Sequence, residues 1–204
     1  MKKVIINISI IAILAITVCL IELNLCEMSY KKNEEESKET LRVAYELIEN
    51  ENLNDLSDNY AEDNDTNNSN NISENKGIIG VLIIPKLNIE APIKEGTSQE
   101  IMRTSIGHFS ESDYWNGNVS LASHNGGTNA HFFEKINMLS VNDEIDYITK
   151  LGTKKYKVQE VKQIESTDWS LVVSNEESGT NTITLITCIN GKPNYRLCVR
   201  GAEI

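Results

Sequence analysis

Hydrophobic and polar positions divide the 204-residue chain into three parts with different periodicities. Residues 4–21, VIINISIIAILAITVCLI, are an apolar run whose polar members are Asn7, Ser9 and Thr17. A helix of that length covers roughly 27 Å, close to the hydrocarbon thickness of a bilayer. The pattern predicts a membrane-spanning helix over 4–25, behind a short tip of residues 1–3. In residues 37–51, SKETLRVAYELIENE, the side chains of Leu41, Ala44, Tyr45 and Ile48 recur at helical spacing with Leu47 beside them, which predicts a short amphipathic helix. Residues 52–76 are dominated by Asn, Asp, Ser and Glu and have almost nothing to bury, the composition of a disordered linker. The stretch 26–75 therefore reads as a spacer, partly helical and then disordered.

From Gly77 onward the period changes. Short β-branched runs alternate with turn residues about every ten positions, the signature of a barrel or sandwich. The expected strands are Gly80–Ile84, Ala91–Ile93, Val119–Ser123, Glu144–Ile148, Lys154–Ile164, Thr182–Thr187 and Tyr195–Gly201, with one or two helical turns over Phe132–Leu139. The segment 76–204 is long enough to bury a core without disulfides. The fold class is all-β.

The flanks of the apolar run bear on topology. Lys2 and Lys3 precede it, and the positive-inside rule places them in the cytoplasm and the rest of the chain outside. A cleaved signal peptide also starts with a basic tip and an apolar run. The flank CLIELNLCEMSY lacks a small-x-small cleavage site, and Cys19 and Cys26 follow Val18 and Leu25 rather than the small residue a lipoprotein signal needs. An uncleaved anchor fits better.

Charge excludes one class. With 19 Lys+Arg against 30 Asp+Glu the chain carries −11, the wrong sign for displacing counterions from phosphates, so no nucleic-acid partner is expected. The acidity is local. Residues 27–75 hold 14 acids and 4 bases, whereas 76–204 hold 15 and 13. Asp63, Asp65 and their neighbours lack the turn Gly and the closing Glu of a calcium loop, and solvated charge is the better reading.

Two strand ends carry candidate chemistry. ITLITC ends on Cys188, eight residues before Arg196, and NVSLASH ends on His124 before Asn125-Gly126-Gly127. Strand-to-loop junctions are where barrels place working residues. A thiol attacks a carbonyl as thiolate, a form that a nearby imidazolium and guanidinium favour, and the fixed charge and fork of Arg196 suit a developing oxyanion. Physics alone leaves a second reading open, in which Cys188 is a small buried hydrophobe. His108 is expected to be structural or at a groove edge and His131 solvent-facing, and Arg200 competes with Arg196. Trp115 and Trp169 are expected in the core or a groove wall, and Asp143 at the start of a strand.

At these residues a resemblance becomes specific. TLITC, an Arg eight residues later on a final strand, an upstream strand ending in His, and the segment GVLIIPKLNIEAPIKEGTS resemble the sortases, membrane-anchored cysteine transpeptidases of Gram-positive bacteria. The resemblance covers residues 77–202 and extends to the anchor-plus-spacer layout. It implies a closed or nearly closed sortase-type β-barrel of about eight strands with short helices, following the transmembrane helix. It places the nucleophile on Cys188, the proton donor and acceptor on His124 and the carbonyl-stabilising Arg on Arg196, with Ala122 and Thr187 near the substrate groove. Ser123 stands where many members have Gly, which weakens assignment to a subclass; IESTDWSLV and the compact ending NGKPNYRLCVRG are similar to class D.

The implied activity is cleavage of a Leu-Pro-x-Thr-Gly-like C-terminal sorting signal between Thr and Gly through a thioacyl-enzyme, followed by transfer to a cell-wall amine. The implied partners are surface proteins bearing such a signal, a peptidoglycan precursor amine and the lipid bilayer. No metal or organic cofactor is implied; some members respond to calcium, and nothing in the sequence indicates it here. With no lid segment or second anchor evident, wall attachment is expected over pilin polymerisation. Two alternatives stand: a cysteine endopeptidase that hydrolyses the intermediate, and a non-catalytic anchored β-barrel binding module.

Overall fold

The computed structural model describes residues 2–54, 77–127, 129–173 and 179–204. Its first element, α1 (Lys2–Asn54), is a single helix of 53 residues. Ile13, Leu14, Ile16, Leu20, Leu23 and Leu25 on it are all more than half exposed, and the helix is long and apolar enough to cross a membrane. The helix expected over 37–51 is the end of this longer one. Its polar middle has no Gly or Pro to stop it and is laced by Glu27–Lys31 at 2.7 Å and Glu34–Lys38 at 2.8 Å, with Arg42 between Glu39 and Glu46. The linker expected over 52–76 lies outside the described residues except for its first three.

The part of α1 beyond the apolar run lies against the barrel. Asn33, Ser37, Thr40 and Ala44, spaced by four, three and four, are buried in one stripe. These are small side chains, which let the helix approach the strands Ile78–Ile84 and Ile89–Glu95 closely. The buried stripe is therefore offset from the Leu41-Tyr45-Ile48 stripe that periodicity singles out, and only Ala44 belongs to both.

Eight strands form a closed barrel in the order β1-β2-β3-β4-β7-β8-β6-β5. They are β1 Ile78–Ile84, β2 Ile89–Glu95, β3 Ile106–His108, β4 Asn118–Ala122, β5 Glu144–Thr149, β6 Gly152–Glu165, β7 Thr182–Cys188 and β8 Tyr195–Glu203. The pairs β2/β3 and β4/β7 are parallel; the other neighbours run antiparallel. Seven strands match expected runs. The eighth, β3, has only three residues, Ile106-Gly107-His108, too few for a period-2 signal. The Phe132–Leu139 segment holds a 3-10 turn at Ile136–Met138, anchored by buried Phe133, Ile136 and Leu139.

Alternation along the strands sorts side chains into two clusters. The barrel interior holds Leu82, Ile84, Ile93, Val119, Leu121, Tyr147, Tyr156, Ile183, Leu185 and Val199, all fully buried. On the outside, Ile164, Val172, Ile186 and Cys198 form a smaller cluster with Phe109 and Leu171 against them. Within the barrel the Tyr147 hydroxyl reaches the Tyr114 carbonyl at 2.8 Å. The outer cluster is the floor beneath the candidate residues.

Candidate active site

Register brings His124 and Cys188 together. β4 and β7 run parallel with Ala122 beside Ile186, so two residues further on His124 comes level with Cys188 at the same end of the barrel. The antiparallel β7–β8 ladder sets Cys188 opposite Arg196. Parity decides the face. Leu185 and Val199 point inward, so Ile186, Cys188, Arg196 and Cys198 point outward, and Ala122 and His124 follow by the same alternation.

Hydrogen bonds to backbone carbonyls fasten the two strand ends. The Ser123 amide donates to the Ile186 carbonyl at 3.4 Å, the Thr187 hydroxyl donates to the Ser123 carbonyl at 2.7 Å, and the Asn125 side-chain amide donates to the Cys188 carbonyl. Thr187 is buried on the inward face, so its hydroxyl serves the strand ends and does not face the outer groove. Ala122, half-buried beside Ile186, lies on the outer face with the candidate triad. Asn125 was not singled out by sequence reasoning, and its place directly after the strand-ending His is the only signal that could have found it.

Each of the three side chains has a distinct environment. Cys188 is exposed, whereas Cys198 is fully buried and its thiol is pushed up to about 11 by that burial. Of the two barrel thiols, only Cys188 is open to a substrate. Burial, and secondarily the nearby His131, hold His124 below the ordinary histidine value. Its Nε2 lies 3.4 Å from Asn129 Nδ2. The Arg196 guanidinium is folded onto its own turn, Nη1 donating to the Pro193 and Tyr195 carbonyls at 2.9 and 2.8 Å.

The competing residues separate from this group. Arg200 stands opposite Thr184 and Glu160, four positions along β8 from Arg196. His108 is buried with Nδ1 2.8 Å from Glu95 and Nε2 3.0 Å from the Asp113 carbonyl, so both ring nitrogens serve the fold. His131 is partly covered rather than open to solvent, its ring 5.4 Å from that of Tyr30 on α1. Trp115 packs on the main core and under the Lys154 ammonium, while Trp169 lies half-exposed over Phe109. Asp143 precedes β5 and bonds the Ser140 amide and Lys86, which hold its carboxyl below the usual range. Among the described residues no group of three or more His, Cys, Asp or Glu is placed to hold a metal ion.

A thiol at the end of β7, a guanidinium on β8 and an imidazole two residues past β4 thus lie at one end of the barrel. Family comparison decides the assignment: the sortase domain matches residues 82–204. The chain belongs to the sortase family. It is 26% identical over 132 residues to sortase A of Bacillus anthracis and 29% identical over 111 residues to sortase D of Bacillus subtilis strain 168. Those matches cover 64% and 53% of this chain, and 61% and 53% of the relatives' own lengths, so the chain spans less than two thirds of either curated relative. Among solved structures, the Clostridium perfringens sortase D5 transpeptidase superposes with a TM-score of 0.58 at 27% identity, covering 87% of this chain and 99% of that one. The closed eight-stranded barrel is that of the sortases.

Proposed function

We propose that this sortase is a membrane-anchored cysteine transpeptidase in which Cys188 is the nucleophile, His124 the proton donor and acceptor, and Arg196 the oxyanion partner. The observation that carries the proposal is the register that sets Cys188 beside Arg196 and brings His124 level with it on one outer face. The Cys188 thiolate attacks the Thr carbonyl carbon of a Leu-Pro-x-Thr-Gly-like signal, and the carbonyl electron pair moves onto oxygen. Arg196 turns from its own loop carbonyls to that oxyanion. As the tetrahedral species collapses, the His124 imidazolium protonates the departing Gly amine, leaving a thioester on Cys188 and a neutral imidazole. An amine, taken here as that of a peptidoglycan precursor, then gives its proton to His124 and attacks the thioester, restoring the thiolate and imidazolium.

Every atom in this cycle comes from substrate or from the three side chains, so no metal or organic group is written into it. Half-buried Ala122, with Ile186 buried beside it, supplies apolar surface near the Cys188 end against which a signal peptide can lie. Lys2 and Lys3 favour a cytoplasmic N-terminus, which puts the barrel on the outer side, where surface proteins and wall precursors are found.

The test is cleavage and amide transfer of a fluorescent sorting-signal peptide by wild type and by Cys188→Ala, His124→Ala and Arg196→Ala. Loss of thioacyl formation in the Cys188 variant and amine-dependent product in the wild type support the proposal. Product that forms at equal rate with and without added amine would make the protein a hydrolase instead.

A further inference from the structure

The segment between His124 and Phe133 is tied at its far end to α1. Arg103, in the 3-10 turn Ile101–Arg103, grips Glu36 of α1 with both Nη atoms, Nη1 to Oε2 at 3.0 Å and Nη2 to Oε1 at 2.9 Å, and Nη1 also meets Asn33 Oδ1 at 2.8 Å. This two-pronged geometry fixes direction as well as distance. The carbonyl of the same Arg103 accepts the Ala130 amide at 2.8 Å. One residue on, the His131 ring rests against Tyr30 of α1, and its Nδ1 lies 2.9 Å from the Asn129 carbonyl. Asn129 in turn points Nδ2 at His124 Nε2.

The near end of the segment carries two glycines. Gly126 and Gly127 take φ of +150° and +103°, and nothing lies within 4 Å of where a Cβ would stand on either. Glycine adopts such positive φ without steric cost. Position must come from the flanks: the Asn125 bond to the Cys188 carbonyl on one side, and the Arg103 and Tyr30 contacts to α1 on the other.

We infer that α1, docked through Asn33 and Glu36, positions His124 by way of Arg103, Ala130 and the positioning residue Asn129, so that the helix leaving the membrane is a working part of the catalytic unit. The inference rests on the acid–base role given to His124 above. The Asn129 amide, 3.4 Å from Nε2, sets the direction in which the ring points. The ionisable group that acts on that ring is His131 on its own loop, with Cys188 and Arg196 on the neighbouring strands β7 and β8.

The experiment uses the full chain in detergent micelles, with two readouts: kcat and KM for a sorting-signal peptide across pH, and the His124 imidazole midpoint by NMR. Arg103→Glu places two carboxylates together and should lower kcat about tenfold with KM nearly unchanged, as expected when a reacting group is misplaced by a fraction of an ångström. The imidazole midpoint should rise in Arg103→Glu and in Asn129→Ala, because a loosened loop relieves the burial of the ring and its closeness to His131, the two causes that hold it below the ordinary value. Exchanging the charges, Arg103→Glu with Glu36→Arg, should recover kcat to within about threefold of wild type, since the pair couples directly. Wild-type kcat and midpoint in both Arg103→Glu and Asn129→Ala overturn the inference, and so does an exchange variant that melts like wild type and recovers nothing. If Cys188→Ala cleaves as fast as wild type, it is the functional reading that fails.

Discussion

Cys188 and Arg196 stand directly opposite each other in the β7–β8 ladder, and both side chains leave the sheet on its outer face. The turn between them, Ile189 to Asn194, lets the guanidinium fold back onto the Pro193 and Tyr195 carbonyls. Two hydrogen bonds thus hold the guanidinium on its own turn before substrate arrives. Lysine keeps the charge but has no fork. Arg196→Lys is expected to lower kcat/KM for signal cleavage by about a hundredfold, the usual cost of removing one oxyanion donor. Activity within a factor of about three of wild type would remove Arg196 from that role.

The two barrel thiols should differ sharply in reactivity. Cys188 is exposed, while burial raises the Cys198 thiol to about 11. Thiolate is the reactive form, so iodoacetamide at pH 8 should modify Cys188 at least about a hundredfold faster than Cys198 in the folded protein. Peptide mass spectrometry over time reads both sites in one sample. Comparable rates would mean that the β7 end is not open as described.

His124 sets a pH signature. Its folded pKa lies below the ordinary 6.5 because burial penalises the charged ring, with His131 adding to the effect. A group with a depressed folded pKa that is charged when protonated binds more protons unfolded than folded. Stability therefore falls as pH drops through 6.5 towards the folded value, and His124→Ala should flatten that part of the profile. NMR titration of the imidazole in Cys188→Ala protein should give a midpoint below 6.5; one at or above it contradicts the environment described.

Thr187 illustrates a residue whose place in the motif and whose contacts point in different directions. Its hydroxyl bonds the Ser123 carbonyl across the β4–β7 seam, inside the barrel. Thr187→Val keeps the shape and leaves that carbonyl short of a donor, with an expected cost of about 1 kcal/mol in urea unfolding. The slackened seam should also lower kcat more than it raises KM. A change confined to KM would return Thr187 to direct substrate contact.

Long elements were legible in the sequence because their periods are strong: seven strands with alternating β-branched residues and an apolar N-terminal helix. β3 was not, since Ile106-Gly107-His108 is held by ladders on both sides and not by its own pattern. The docked stripe Asn33-Ser37-Thr40-Ala44 escaped notice because close helix packing selects small side chains, which a hydrophobicity reading passes over. Cys188, His124 and Arg196 were readable as motif residues. Asn125, Asn129 and Arg103 were not, since their importance lies in bonds between segments distant in sequence.

The central claim is that Cys188 forms an acyl-enzyme. Intact-protein mass spectrometry of the full chain, quenched after brief incubation with a Leu-Pro-x-Thr-Gly-containing peptide, tests it most directly. The account predicts an adduct of the peptide up to its Thr, located on Cys188, absent from Cys188→Ala and discharged by an added amine to an amide product. Peptide cleavage without an adduct, or with undiminished rate in Cys188→Ala, would contradict it.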